Sequence, residues 1–88
     1  MSVASGNHSH AEGGVAKASG EMSHAEGCYT ESSGSCSHAE GWSTNAIGEN
    51  SHAEGHGTIA NGEQQHVQGR YNIEDTENKY AHIVGNGS

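Results

Sequence analysis

The sequence has no proline and no phenylalanine, and its only basic residues are Lys17, Arg70 and Lys79. Hydrophobic residues make up just 30% of it. With so few large aliphatic side chains, the chain cannot build an ordinary apolar core. With no basic patch and a net charge of -8, it lacks the electrostatic footprint of a nucleic-acid-binding protein. No stretch resembles a transmembrane segment or a signal peptide, so no membrane insertion is expected. The two cysteines, Cys28 and Cys36, lack zinc-type spacing and are expected to be free thiols. Low hydrophobicity with this charge ordinarily means disorder.

What the sequence has instead is a repeat. Ser-His-Ala-Glu-Gly occurs at Ser9–Gly13, Ser23–Gly27, Ser37–Gly41 and Ser51–Gly55, and decays to Gln65-His66-Val67-Gln68-Gly69. The spacing is 14 residues each time. A disordered chain has no reason to keep such register. A fixed period means one structural unit stacked on itself.

Each unit divides into two similar halves, Ser-x-Ala-x-Gly and Thr/Ala-x-Ala/Ser-x-Gly, separated by two-residue corners. Small residues at every second position give strand periodicity, and the glycine density excludes helix. Most of the 14 glycines fall on two columns that close the halves, where the chain must bend sharply or approach itself closely. The pattern predicts an all-β fold: a parallel β-roll, or β-solenoid, with 14 residues and two five-residue strands per turn. Such a strand spans about 16 Å and successive turns rise about 4.8 Å. Alanine, serine and threonine point inward, so the sheets must lie closer than usual. The threonines Thr30, Thr44 and Thr58 also point inward, which argues against an ice-binding face.

Residues 1–69 carry the regular repeats. Residues 70–88 form an irregular turn or cap, where Ala81-His82-Ile83-Val84-Gly85 recovers the unit after a two-residue insertion. Val67 and Ile83 there replace the small inward alanine, so the end of the roll thickens. The corners vary freely and should face solvent. The corner aromatics Tyr29 and Trp42 are expected first to cover the roll's own edge or a neighbouring subunit, with ligand contact as the second reading.

The two outward faces differ. One drifts through Val3, Lys17, Glu31, Asn45 and Ile59. The other repeats histidine and glutamate: His10, Glu12, His24, Glu26, His38, Glu40, His52, Glu54, then His66. The thin interior buries little apolar surface, so another buried face is expected. The constant face predicts a constant partner, most simply the same face of further copies. These nine residues are the candidate subunit interface.

Small-x-Gly-x-x-Ser-x-Ala-x-Gly at this period resembles the head repeats of YadA-type trimeric autotransporter adhesins. The Ser-His-Ala-Glu-Gly form is similar to repeats of phage tail-fibre and appendage proteins. The segment from Gln68-Gly69-Arg70-Tyr71-Asn72-Ile73 to Val84-Gly85-Asn86-Gly87 resembles the part of those proteins that leads into an intramolecular-chaperone autocleavage domain. The resemblance implies a left-handed homotrimeric roll in a virion tail or on an extracellular surface. It implies a structural or adhesive role, attaching to a host receptor or glycan. That downstream domain would lie beyond Ser88, so no self-cleaving activity carries over and no catalytic constellation is expected.

Metal binding is the alternative. His10, His24, His38, His52 and His66 form a column flanked by carboxylates, a donor set for zinc or nickel. His8-Ser9-His10 resembles the iron-binding tips of some trimeric fibres. A structural ladder of His–Glu hydrogen bonds is the expectation against which these are weighed. Stacked glutamates should repel and raise one another's pKa. If charged His–Glu pairs win, stability should peak between roughly pH 4.5 and 6.5; the favoured expectation is a partly dry histidine column that stays neutral and separates the chains when acid charges it.

Overall fold

The computed structural model describes residues 2–72, Glu74, Glu77 and 79–87. Met1, Ile73, Asp75, Thr76, Asn78 and Ser88 lie outside the described residues, and with them part of the expected cap. The chain winds as a solenoid of two parallel sheets, and no helix occurs among the described residues. One sheet holds β1 (Val3–Ala4), β3 (Ala16–Ala18), β5 (Thr30–Ser32), β7 (Asn45–Ala46) and β9 (Ile59–Ala60). The other holds β2 (His10–Gly13), β4 (His24–Cys28), β6 (His38–Trp42), β8 (His52–His56), β10 (His66–Arg70) and β11 (His82–Asn86).

Register follows the repeat. Ala25 pairs with Ala39, and Ala39 with Ala53. The last step is longer: His66 pairs with His82 and Val67 with Ile83, the expected insertion being absorbed between β10 and β11. The molecule measures 29 × 21 × 13 Å.

The interior is narrow because its side chains are small. Ala16, Ala18, Ala25, Ala39, Ala46, Ala53, Ala60 and Val67 are buried, together with Thr30, Thr44 and Thr58. The inward direction expected for the threonines is thus observed. Thr44 and Thr58 donate their hydroxyls to the carbonyls of Glu40 and Glu54, at 3.1 and 3.0 Å. The repeated serine has a distinct role. Ser23, Ser37 and Ser51 are buried and donate to the carbonyls of Gly20, Gly34 and Gly48, at 2.6–2.7 Å. Each bond ties one corner together, adding a hydroxyl donor to a carbonyl that also accepts the same serine's backbone amide at 3.2–3.3 Å.

The strands of the first sheet span only two or three residues, shorter than the expected five. The cause is a shared acceptor. The amides of Ser19 and Gly20 both donate to the carbonyl of Ser32, and those of Ser33 and Gly34 to that of Ala46. The backbone therefore leaves the ladder one residue before each corner.

The corners hold a second difference. Backbone of left-handed φ falls on the second corner residue, mostly not glycine: Met22, Tyr29, Cys36, Ser43, Asn50 and Gln64 have φ of 54–59°. That conformation is unfavourable for these side chains. At Met22, Cys36, Ser43, Asn50 and Gln64 it holds because the corner amide bonds to the preceding turn, as Cys36 N–H does to the Glu21 carbonyl at 2.8 Å and Ser43 N–H to that of Cys28 at 2.8 Å.

Side-chain amides close the C-terminal end of the first sheet. Asn72 accepts from the Ile59 amide through Oδ1 at 2.7 Å and donates to the Ile59 carbonyl through Nδ2 at 3.1 Å, so it imitates the next strand. Gln65 replaces the repeated serine. Its Oε1 accepts from the amides of Asn61 and Gly62, and its Nε2 donates to the Tyr80 carbonyl at 2.8 Å. Asn72→Ala is expected to lower stability by about 1–3 kcal/mol, because it strands the polar groups of β9. Urea denaturation of the two proteins side by side checks this; equal midpoints would show that water replaces the amide without cost.

Candidate functional site

The outward positions of the six-stranded sheet bring the histidine column together. Parallel register sets each ring above the one a turn earlier. His24 and His38 stack at 4.5 Å between centroids, 5° from parallel. His38 and His52 stack at 4.7 Å and 8°, and His52 and His66 at 4.7 Å and 2°. At the N-terminal end His10 tilts by 35° against His24. His82 adds a rung, 5.0 Å and 19° from His66. His82 was absent from the residues expected here, although the recovered unit at Ala81–Gly85 carried the signal. His8 lies instead in an exposed corner with φ of 57° and joins none of the metal-competent sets described below.

The glutamates run alongside in register: Glu12 opposite Glu26, Glu26 opposite Glu40, and Glu40 opposite Glu54. Gln68 takes the corresponding place on β10. The glycine column beside them has no side chains, which leaves a shallow trough along the ladder bounded by Glu12, Glu26, Glu40, Glu54 and Gln68.

Glu26, Glu40 and Glu54 each reach two histidines, whereas Glu12 pairs with His10 alone. Glu26 lies 3.3 Å from His24 Nε2 through Oε1 and 3.7 Å from His38 Nε2 through Oε2. Glu40 lies 3.3 Å from His38 and 3.9 Å from His52. Glu54 lies 3.6 Å from His52 and 3.2 Å from His66. Hydrogen bonds form only at the ends of the series, between His10 and Glu12 at 3.0 Å and between His66 and Glu54 at 3.2 Å. The expected hydrogen-bonded ladder is therefore incomplete. Nε2 of His24, His38 and His52 is buried and has no hydrogen-bond partner. The stacking direction fixes each ring beside, rather than in line with, its carboxylates.

Electrostatics alternate along the carboxylates. A hydrogen bond with Glu26 and burial push the Glu40 carboxyl up to about 7. The same proton, donated by Glu40, holds Glu26 and Glu54 below their usual value. The uniform rise expected from repulsion is thus replaced by a shared proton in the middle of the row. Burial, then the neighbouring rings, lowers the pKa of His38 and His52. That is the direction expected of a neutral column.

Four sets, His10–Glu12–His24, His24–Glu26–His38, His38–Glu40–His52 and His52–Glu54–His66, place their ligand atoms within 4.8 Å of one another. The corner aromatics pack elsewhere, along one edge. Trp42 meets His56 edge-on at 4.4 Å and Tyr29 at 6.4 Å, and the Tyr71 hydroxyl lies 3.2 Å from His56 Nε2. They cover the roll's own edge, yet Tyr29 and Trp42 stay 59% and 46% exposed. Cys28 and Cys36 are free thiols. Among the described residues no helix is long and apolar enough to cross a membrane. No known family model matches the chain, and no curated protein or solved structure matches it either.

Proposed function

We propose that the chain is a structural segment of a homotrimeric fibre, of the kind that phage tail fibres or bacterial surface adhesins use for attachment. The observation that carries this reading is the contrast between the two sheet faces. The His/Glu face keeps one chemistry through four turns, and its interior rungs stay about one-third exposed, with His38 and His52 at 32% and 33%. The opposite face changes at every rung. A surface that only meets water has no need of identical rungs, whereas an isologous or cyclic contact does. Left-handed winding and a location on a virion tail or an extracellular surface belong to the same proposal. So does attachment to a surface receptor or glycan, for which the exposed edge of Tyr29 and Trp42 is the natural contact. The fibre segment needs no catalysis, and its serines serve the corners.

Light scattering and intact mass spectrometry on one sample test both statements. The expected particle is three times the 9.1 kDa chain, with every chain uncleaved after prolonged incubation. A folded particle of single-chain mass would rule the assembly out. Site-specific scission near Asn86-Gly87 would rule out the purely structural role.

A further inference from the structure

The middle of the ladder holds three buried ring nitrogens without hydrogen bonds, on His24, His38 and His52. Native structures rarely leave such atoms unsatisfied. His38 Nε2 faces two carboxylate oxygens, at 3.3 Å on Glu40 and 3.7 Å on Glu26. His52 Nε2 likewise faces Glu54 at 3.6 Å and Glu40 at 3.9 Å. These separations are long for hydrogen bonds. They suit an ion lying between the atoms, since two donors about 2.1 Å from a tetrahedral zinc ion are about 3.4 Å apart.

Ring geometry decides how ions are shared. The lone pair of an imidazole lies in the ring plane, so a bound ion must lie there too. His38 and His52 are stacked almost parallel with centroids 4.7 Å apart. One ion cannot lie in both planes. Each histidine must serve its own ion, and each glutamate can offer one oxygen to the ion of its own turn and the other to that of the next.

We propose that the ladder binds divalent transition-metal ions of the zinc class, each held by one histidine and by the carboxylates of its own and the preceding turn. The two interior sites are His38 with Glu26 and Glu40, and His52 with Glu40 and Glu54. Water fills the remaining coordination position. Imidazole nitrogen with carboxylate oxygen is a donor set for zinc rather than for magnesium or calcium, which prefer all-oxygen surroundings. The two sites share Glu40, and ions one turn apart repel, so binding is stepwise and the second ion is the weaker. Both sites lie within one chain, so they stand whether or not three chains associate.

Calorimetric titration of the full chain with zinc chloride, and melting with zinc against EDTA, test the proposal. Zinc is expected to bind and to raise the melting temperature. Glu40→Gln removes the charge common to both sites, replaces one of the two oxygens by a non-coordinating amide nitrogen and keeps the side-chain shape. It is expected to weaken zinc binding by at least about tenfold, with an unchanged circular dichroism spectrum in EDTA. Gln68→Glu gives the His66 rung its second carboxylate and is expected to strengthen or add a site. A Cys28→Ser/Cys36→Ser chain is expected to bind as before. No heat and no melting shift in excess zinc would overturn the proposal. So would unchanged affinity in both Glu40→Gln and Gln68→Glu, or loss of binding in the serine variant, which would place the ion on the thiols.

Discussion

Gly41→Ala is expected to destabilise the chain more than any surface substitution, by about 2–6 kcal/mol. Gly41 has φ of 110°, and a Cβ there would overlap the carbonyl oxygen of Gly55 and lie 2.9 Å from its nitrogen. Every atom in the way is backbone of the next turn, held by the parallel ladder, so no side chain can swing aside. Left-handed strain of this kind costs about 1–3 kcal/mol and overpacking a similar amount. Their sum, about 2–6 kcal/mol, is a large part of the roughly 4–13 kcal/mol expected for a chain of this size. Gly14→Ala is the control. Its nearest obstacle is the Cys28 sulfur at 3.4 Å and its φ is not in the left-handed region, so a change within about 0.5 kcal/mol is expected. Urea midpoints decide; a Gly41→Ala chain as stable as the Gly14→Ala chain would mean that successive turns do not approach as closely as described.

Stability in EDTA is expected to fall as pH drops below about 6.5 and to change little above about pH 7. On the acid side the histidines dominate. His38 faces His24, His52, Glu26 and Glu40, and His52 faces His38, His66, Glu40 and Glu54. Both are lowered from 6.5, by burial first. A lowered pKa means that the unfolded chain binds protons more readily, so stability present above about 6.5 is lost as pH falls through the folded value. Glu26 and Glu54, also lowered, add to the loss further into acid. Glu40 acts in the opposite sense over the same interval. Its pKa is raised to about 7, so its contribution is full below the usual carboxylate value and is lost by the time pH reaches about 7, which offsets part of the histidine effect.

Solvent screens these half-exposed groups, so the expected fall between pH 6.5 and 5 is a melting shift on the order of 5 °C. In a trimer joined through this face, three columns charge together. The particle is then expected to separate into single chains over the same interval. Melting and mass followed from pH 4 to 8 check this. A flat profile would show that the ladder is fully solvated, and the interface proposed on that face would fall with it.

Much of the architecture was legible in the residues themselves. The period of 14 and the alternation of small side chains dictated strands, parallel register and inward threonines, because a repeat without insertions can stack only on itself. The equivalence of His82 and His66 was also readable, since Ala81–Gly85 restores the unit. Repulsion between stacked glutamates could be anticipated, but not that one proton on Glu40 would lower its two neighbours.

The repeat by itself determined the fold class, the small-residue core and the side of the sheet on which histidine and glutamate stand. All three follow from local period and side-chain volume, which need no knowledge of what a strand packs against. Only the tertiary structure decided the rest. It placed left-handed φ on Met22 and Cys36 as well as on the glycines, because inter-turn hydrogen bonds outweigh local preference. It made Asn72 a substitute strand, because only the folded end of the sheet leaves Ile59 unpaired. It also left His24, His38 and His52 beside carboxylates without hydrogen bonds, because ring angle and ångström-scale separation are set by stacking rather than by sequence.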